Sequence, residues 1–394
     1  MNHFPFSEDI QVLVWFPLAL ICLKEVKENW RQIFDKDLTV SDRRALLKIT
    51  LFFALPVVVL IHEIGHALAT IMLGGVVKEL HFGIWWGYVL PIGDFSSLDH
   101  LIITLAGNVV QMAIGFLCLI AAVFVSSPPI VALLVYTGLY AIGGTAIIYA
   151  LMSTTDMYLD WSKIYASPHT EVTSVVAVCH ALIVAFLIYC FYGARPRIWF
   201  AGKTRPKWKK DNQAALDRVK ADPSAVNYLS LAWSYFFIGM DRLSFKYLEK
   251  VKGLDPTLVD RYYLLGCLER NRGKTKAAVD AFEEIVKSRH ASKDTKARAL
   301  MAAGHCLSDD LPPENKSLED HRKIIETYEQ AASLITDTAD PLFYKASLFN
   351  KLGLHKEAEF LLKELDRMKW LDPSLRAGVL TELKVARSNE SADE

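Results

Sequence analysis

The chain has 394 residues, with Lys+Arg and Asp+Glu both at 44, so the formal net charge is zero. That balance excludes a nucleic-acid binder driven by a basic surface and a protein with an acidic tail. Six cysteines stand without any C-x-x-C spacing, which excludes a disulfide scaffold and a cysteine zinc ribbon.

The neutral total hides two opposite halves. Between Phe52 and Phe191 the basic residues are Lys78 and Lys163 alone, and from Leu101 to Thr155 no side chain is charged. A soluble domain does not run that far without charge, whereas a bilayer demands it. After about Pro206 the sequence turns amphipathic and rich in Lys, Glu, Asp and Arg.

In chain order, residues 1–45 carry a short apolar segment, Ile10–Leu23, and a basic juxtamembrane stretch. The segment has no basic leader and no small-residue cleavage site, so it reads as a tilted span, an interfacial helix or a re-entrant piece, not a removed signal peptide. Residues 46–195 hold four expected spans, Leu46–Leu73, Leu101–Val125, Ile130–Met152 and Ser174–Tyr192. Each approaches or exceeds the ~20 residues that cross ~30 Å of hydrocarbon. Ser126-Ser127-Pro128-Pro129 is a compact turn between the second and third.

Seven basic residues lie in 24–48 and seven more in 195–210, against one lysine in each of the loops 74–100 and 153–173. The positive-inside rule then places both basic flanks, and with them the C-terminal half, in the cytoplasm. On that orientation the first long span runs outward. His62 falls past mid-depth, and Asp156 near the non-cytoplasmic face.

Within the first long span stands His62-Glu63-Ile64-Gly65-His66, an H-E-x-x-H. Residues i and i+4 share a helix face, so both imidazoles can bind one Zn²⁺, and Glu63 is placed to take a proton from a zinc-activated water. Two histidines and a glutamate in hydrocarbon are together unfavourable by several kcal/mol unless they have a partner or a function. A catalytic zinc takes three protein ligands. Candidates for the third are His81, Asp94, Asp99, His100, Asp156, Asp160 and His180. A glutamate from a later helix is the other possibility, with Glu79 and Glu171 available before the soluble half.

These features resemble the site-2 protease family of intramembrane zinc metalloproteases, over roughly residues 45–195. Leu80-His81-Phe82-Gly83-Ile84-Trp85-Trp86-Gly87-Tyr88 occupies the place of that family's membrane-associated β-hairpin. Ala106-Gly107-Asn108-Val109-Val110-Gln111 stands where the family has A-G-P-x-x-N, which implies substrate-binding roles for Asn108 and Gln111. The resemblance implies Asp156 as third zinc ligand, with Asp160 the fallback. It departs from the family pattern in having no Asp-Gly dipeptide at either aspartate and Asn108 in place of the proline, which marks a divergent branch.

Residues 196–222 read as a basic linker and first helix. From 223 to 386 the sequence repeats at about 34 residues. One unit carries Ala232, Gly239 and Ser244, its successor Gly266, Gly273 and Ala278, and a late one Ala346, Gly353 and Ala358. The places are the eighth, fifteenth and twentieth: small residues where two helices meet, and glycine at the turn between them. The pattern resembles tetratricopeptide repeats, with a degenerate unit at Gly304 and an inserted loop, Leu311–Lys316. Residues 387–394 read as a disordered polar tail.

The expected fold class is therefore all-α: a polytopic transmembrane bundle with a short membrane-associated β-hairpin, followed by a soluble helical repeat domain. The expected function is an intramembrane zinc endopeptidase. Its partners are a membrane-protein substrate, the lipid bilayer and a protein or peptide held on the repeats, with no nucleic acid. The alternative is a catalytically inactive, membrane-tethered repeat scaffold on a degenerate protease fold.

Overall fold

The computed structural model describes residues 8–35, 38–155, 159–309, 317–335, 338–368 and 371–393. Asp156 and the inserted loop Leu311–Lys316 lie outside the described residues. The chain divides into two compact units, Met1–Asp211 and Asn212–Glu394.

The first unit opens with α1 (Glu8–Glu28), apolar around most of its circumference. It docks on the next helix, α2 (Val40–Met72), where the Trp15 indole donates to the Phe52 carbonyl at 3.1 Å. A β-hairpin follows, β1 (Val76–Phe82) paired antiparallel with β2 (Gly87–Ile92), His81 facing Tyr88. The bundle continues with α3 (Ser97–Phe124), α4 (Pro128–Met152), short α5 (Asp160–Tyr165), α6 (Thr170–Tyr192) and α7 (Ala194–Thr204).

Four of these helices, α2, α3, α4 and α6, are long and apolar enough to cross a membrane. Their outward faces carry Leu68, Leu117, Ile148 and Leu182, each more than half exposed, a pattern that suits lipid and not water. Each starts a few residues before its sequence-based bound, because the caps extend past the apolar run: Thr39 caps α2 with Asp42, and Ser96 caps α3 with Asp99.

Between apolar helices there is little hydrophobic drive to associate in lipid, so close backbone approach decides the packing. The α3–α4 crossing has Gly115 against Gly138: a Cβ on Gly138 would lie 2.7 Å from the Gly115 carbonyl oxygen. The α2–α3 crossing uses Gly65, whose Cβ would lie 2.9 Å from the Ala106 oxygen. Leu101, Met112, Ile142, Trp161, Ile164 and Leu187 fill the centre between α3, α4, α5 and α6. At one end of the bundle, Phe200 packs with Ile33, Leu38, Leu46 and Ala132. There Lys203 Nζ donates to the carbonyls of Val123 and Val125 at 2.6 and 3.0 Å. The two basic flanks thus share one end.

The second unit is a helical repeat array. The helix α8 (Pro206–Ala221) leads into it across the division between the units. Helix pairs follow: α9 (Ala225–Phe236) with α10 (Asp241–Leu254), α11 (Asp260–Asn271) with α12 (Thr275–Lys287), α13 (Lys293–Asp309) with α14 (Leu318–Leu334), and α15 (Asp340–Lys351) with α16 (His355–Arg367). The small residues of the repeat sit at the helix contacts. Ala232, Ser244, Ala278, Ala346 and Ala358 are fully buried, and the Ser244 hydroxyl donates to the Ala232 carbonyl at 2.8 Å. Gly239, Gly273 and Gly353 make the turns with φ of +71°, +70° and +74°, a region that side chains with a Cβ disfavour.

The last helix, α17 (Pro373–Asp393), covers the array through Val379, Leu383 and Ala386. It continues through Asp393, so the segment 387–393 is helical where the sequence reads as a disordered tail. Between Gly378 and Asp393 it contains no proline or glycine, so nothing stops the helix there.

Candidate metal centre

Distant parts of the sequence meet here. α2 presents His62, Glu63 and His66 in its second half, and α5 brings Asp160 to them from 94 residues beyond His66. His62 Nε2 lies 3.0 Å from His66 Nε2. Asp160 Oδ2 lies 3.2 Å from the first and 3.1 Å from the second. All three side chains are buried.

Protons decide what that triangle means. His66 Nδ1 is 2.7 Å from the Ile103 carbonyl, which only accepts, so Nδ1 carries the hydrogen. In the neutral ring Nε2 is then a bare lone pair, yet it faces a carboxylate oxygen at 3.1 Å and another imidazole nitrogen at 3.0 Å. Three such atoms meet this closely only with a hydrogen shared among them, on the His62 ring or as an added proton, or around a metal ion. Donors around a tetrahedral ion with bonds of about 2.0–2.1 Å stand about 3.3 Å apart, close to the spacing here. Two imidazoles and one carboxylate are also a donor set suited to zinc. Asp160 lies outside the spans. Burial pushes its carboxyl up, but when the imidazoles carry protons in place of a metal ion, their hydrogen bonds and charge outweigh burial and hold the Asp160 carboxyl below the usual carboxylate range.

Neighbouring residues shape the centre. Gly107 on α3 presses its backbone against the imidazoles: a Cβ there would lie 2.4 Å from His66 Nε2 and 2.9 Å from His62 Nε2. Asn108 is fully buried, its amide nitrogen 3.4 Å from Asp160 Oδ2 and 3.4 Å from the Thr104 carbonyl. Tyr149 sets its ring edge-on to His62 at 5.9 Å, and its hydroxyl accepts from the Asp160 backbone N–H at 3.4 Å. Glu63 is buried with one carboxylate oxygen lacking any hydrogen-bond partner. The hairpin closes on it, since a Cβ on Gly87 would lie 2.6 Å from Glu63 Cγ.

No family model matches the chain, and no curated protein matches it. Solved structures do show partial likeness. Two crystal structures of MamA are each 22% identical, with TM-scores of 0.29 and 0.28, covering 49% and 52% of this chain and 94% and 91% of theirs. The APC/C hetero-tetramer Cut9–Hcn1 is 17% identical with a TM-score of 0.37, covering 73% of this chain and 55% of its own. At those scores the likenesses carry no argument about this protein.

The remaining candidates are dispersed. Asp99 caps α3, where Ser96 donates to it at 2.7 Å, and His100 stacks edge-on with Phe95. Glu79 accepts from the Tyr88 hydroxyl on the hairpin, Glu171 opens α6, and His81 stacks with Tyr88. Gln111, expected to bind substrate, donates to the Ala141 carbonyl at 3.1 Å and joins α3 to α4. Asn108 faces Asp160 instead of an open cleft. His180 is engaged with Tyr165 and Ala146. No motif announces Tyr149; Gly107 and Gly87 stand inside the segments Ala106–Gln111 and Leu80–Tyr88, which do not reveal how closely they approach the histidines and Glu63.

Proposed function

We propose that this protein is a membrane-embedded zinc endopeptidase acting on a transmembrane or membrane-proximal segment, with its helical repeats recruiting the substrate or a partner. The observation that carries this reading is the buried triangle of His62, His66 and Asp160 beside Glu63, one carboxylate oxygen of which has no hydrogen-bond partner. His62, His66 and Asp160 would hold the ion. Bound there, zinc supplies a Lewis acid that polarises a carbonyl and brings the pKa of a water towards 7.

The chain's own residues do the rest. Glu63, with an oxygen free, takes the proton from the attacking water and returns it to the leaving amine. The Ile103 carbonyl fixes the His66 tautomer, and Asn108 holds Asp160. The hairpin covers the Glu63 side, and among the described residues its two strands pair with each other alone, leaving edges on which an unwound substrate can add as a strand. Unwinding is required because helical amides are already paired. The repeat array, like other stacked helix pairs, offers an extended face for a peptide or protein.

A second reading, the non-catalytic scaffold, is favoured by the size of the array, which fills the second unit from Asn212 to Glu394. Zinc analysis of purified full-length protein separates the two. Stoichiometric zinc, retained in Glu63→Gln while cleavage of a transmembrane reporter falls by about 10²-fold or more, supports the peptidase. Protein without zinc refutes it, and unchanged cleavage in Glu63→Gln refutes the role of Glu63.

A further inference from the structure

The third donor sits on a short helix of the bundle. α5 has 6 residues, fewer than two turns, and cannot hold a ligand in place by its own stability. It is instead held from α4 and α6 by a chain of specific contacts. α4 widens into a π-helical turn over Gly144–Tyr149. The carbonyls of that turn receive two ring N–H groups: Trp161 Nε1 donates to Thr145 at 2.9 Å, and His180 Nε2 donates to Ala146 at 2.6 Å.

Those two rings are stacked on each other at 4.2 Å, 20° from parallel. Because the Ala146 carbonyl only accepts, the His180 hydrogen lies on Nε2. Nδ1 is then an acceptor, and the Tyr165 hydroxyl donates to it at 2.7 Å. Trp161 and Tyr165 are the second and last residues of α5, so His180 grips the short helix at both ends. The residue immediately before Trp161 is Asp160. A histidine in the apolar middle of a spanning helix is unfavourable unless it is partnered or functional, and here both nitrogens are partnered by groups that define where α5 sits.

We propose that His180 is a positioning residue for the metal centre: through its stack on Trp161 and its hydrogen bonds to Ala146 and Tyr165, it fixes α5 so that Asp160 meets His62 and His66. It is not a ligand, and it does not touch the reacting atoms. Outer-shell groups that orient a ligand typically change metal affinity by 10–100-fold. The inference rests on the metal reading above and adds to it what determines the affinity.

The test uses full-length protein in detergent or bilayer, loaded with Zn²⁺ or Co²⁺ and titrated with a chelator, with helical content followed by circular dichroism. His180→Ala should weaken metal retention by about 10–100-fold and alter the visible Co²⁺ spectrum. His180→Gln, which keeps an N–H donor for Ala146, should recover part of the loss. Tyr165→Phe deletes one hydrogen bond and little volume, and Trp161→Phe deletes one hydrogen bond and part of the stack on His180. They should shift affinity in the same direction and carry the test should His180→Ala not fold.

Parent-like affinity and spectrum in all four variants, alongside loss in Asp160→Ala, would overturn this inference and leave the metal centre standing. A loss confined to His180→Ala, unrelieved in His180→Gln and absent from the two Phe variants, also overturns it, since it marks general damage. A parent protein that binds neither metal removes the metal reading and this inference together.

Discussion

Gly107→Ala adds one methyl group to the outer wall of the metal centre, and its consequence can be worked from distances. The new Cβ would stand 2.4 Å from His66 Nε2, 2.6 Å from His66 Cε1 and 2.9 Å from His62 Nε2. Ordinary carbon contacts lie near 3.5–4.0 Å, so the imidazole of His66 must retreat by roughly 1 Å or α3 must move away from α2. His66 cannot simply rotate, because its Nδ1 is tied to Ile103 on the same α3. Helix separation would undo the close approach at the adjacent residues, where Gly65 meets the Ala106 carbonyl. Overpacking of this kind is destabilising by about 1–3 kcal/mol. The larger effect falls on the ion, because a displaced ligand should weaken binding by at least the 10–100-fold seen when a supporting group is lost. We therefore expect Gly107→Ala to purify folded but with zinc well below stoichiometry, measured by elemental mass spectrometry and chelator competition. Full zinc at parent affinity would show that α3 does not press on the imidazoles, and the assignment of the triangle as a tight three-donor site would fall with it.

Asp160→Ala should lose bound zinc while Asp156→Ala keeps it; the reverse result in the same metal assay would move the third ligand to Asp156. In the repeats, Gly353 stands at φ +74° with open space around it, so Gly353→Ala should lower stability by about 1 kcal/mol from backbone strain alone. Urea titration of the full chain checks this, and an unchanged midpoint would contradict the turn assignment. The pH response comes from His305, which burial and the charge of Arg270 push below its ordinary 6.5, with Lys351 acting the same way and Asp309 against. Between its folded value and 6.5 the unfolded chain binds a proton that the folded chain does not. Repeat stability should therefore rise with pH across that window and level off above it. Denaturation at pH 5.5 and 7.5, about one unit either side of a free histidine, should show a smaller difference in His305→Leu, and an equal difference would assign the dependence elsewhere.

Much of the architecture is legible in the sequence because its signals are local. A 55-residue stretch without charge, Leu101–Thr155, marks α3 and α4, and the small residues and turn glycines at fixed places mark the repeats before any helix is seen. The pair His62 and His66 is legible for the same reason, since i and i+4 share a helix face in any fold. Asp160 is not, because its approach depends on where α5 packs, and the sequence offers Asp156 four residues away with the same chemistry. Gly107, Tyr149 and His180 act through distances between helices, which no spacing along the chain encodes. The polar end of α17 misleads because composition speaks for solvent exposure, whereas the helix is anchored by Val379, Leu383 and Ala386 before it.

α6 has a consequence beyond its own packing. Only 6% of its apolar window is buried by protein, against 28–50% for the other three spans. In a bilayer its surroundings would be mostly acyl chains. Its 23 residues measure about 34 Å, slightly more than a typical hydrocarbon core of ~30 Å, so its tilt follows bilayer thickness. Yet this is the helix that carries His180 against Trp161 and Tyr165. With His180 positioning α5 as proposed, the place of Asp160 in a membrane would answer to lipid as well as to protein, and thin or thick bilayers would present the same chain with its proposed ligands differently held.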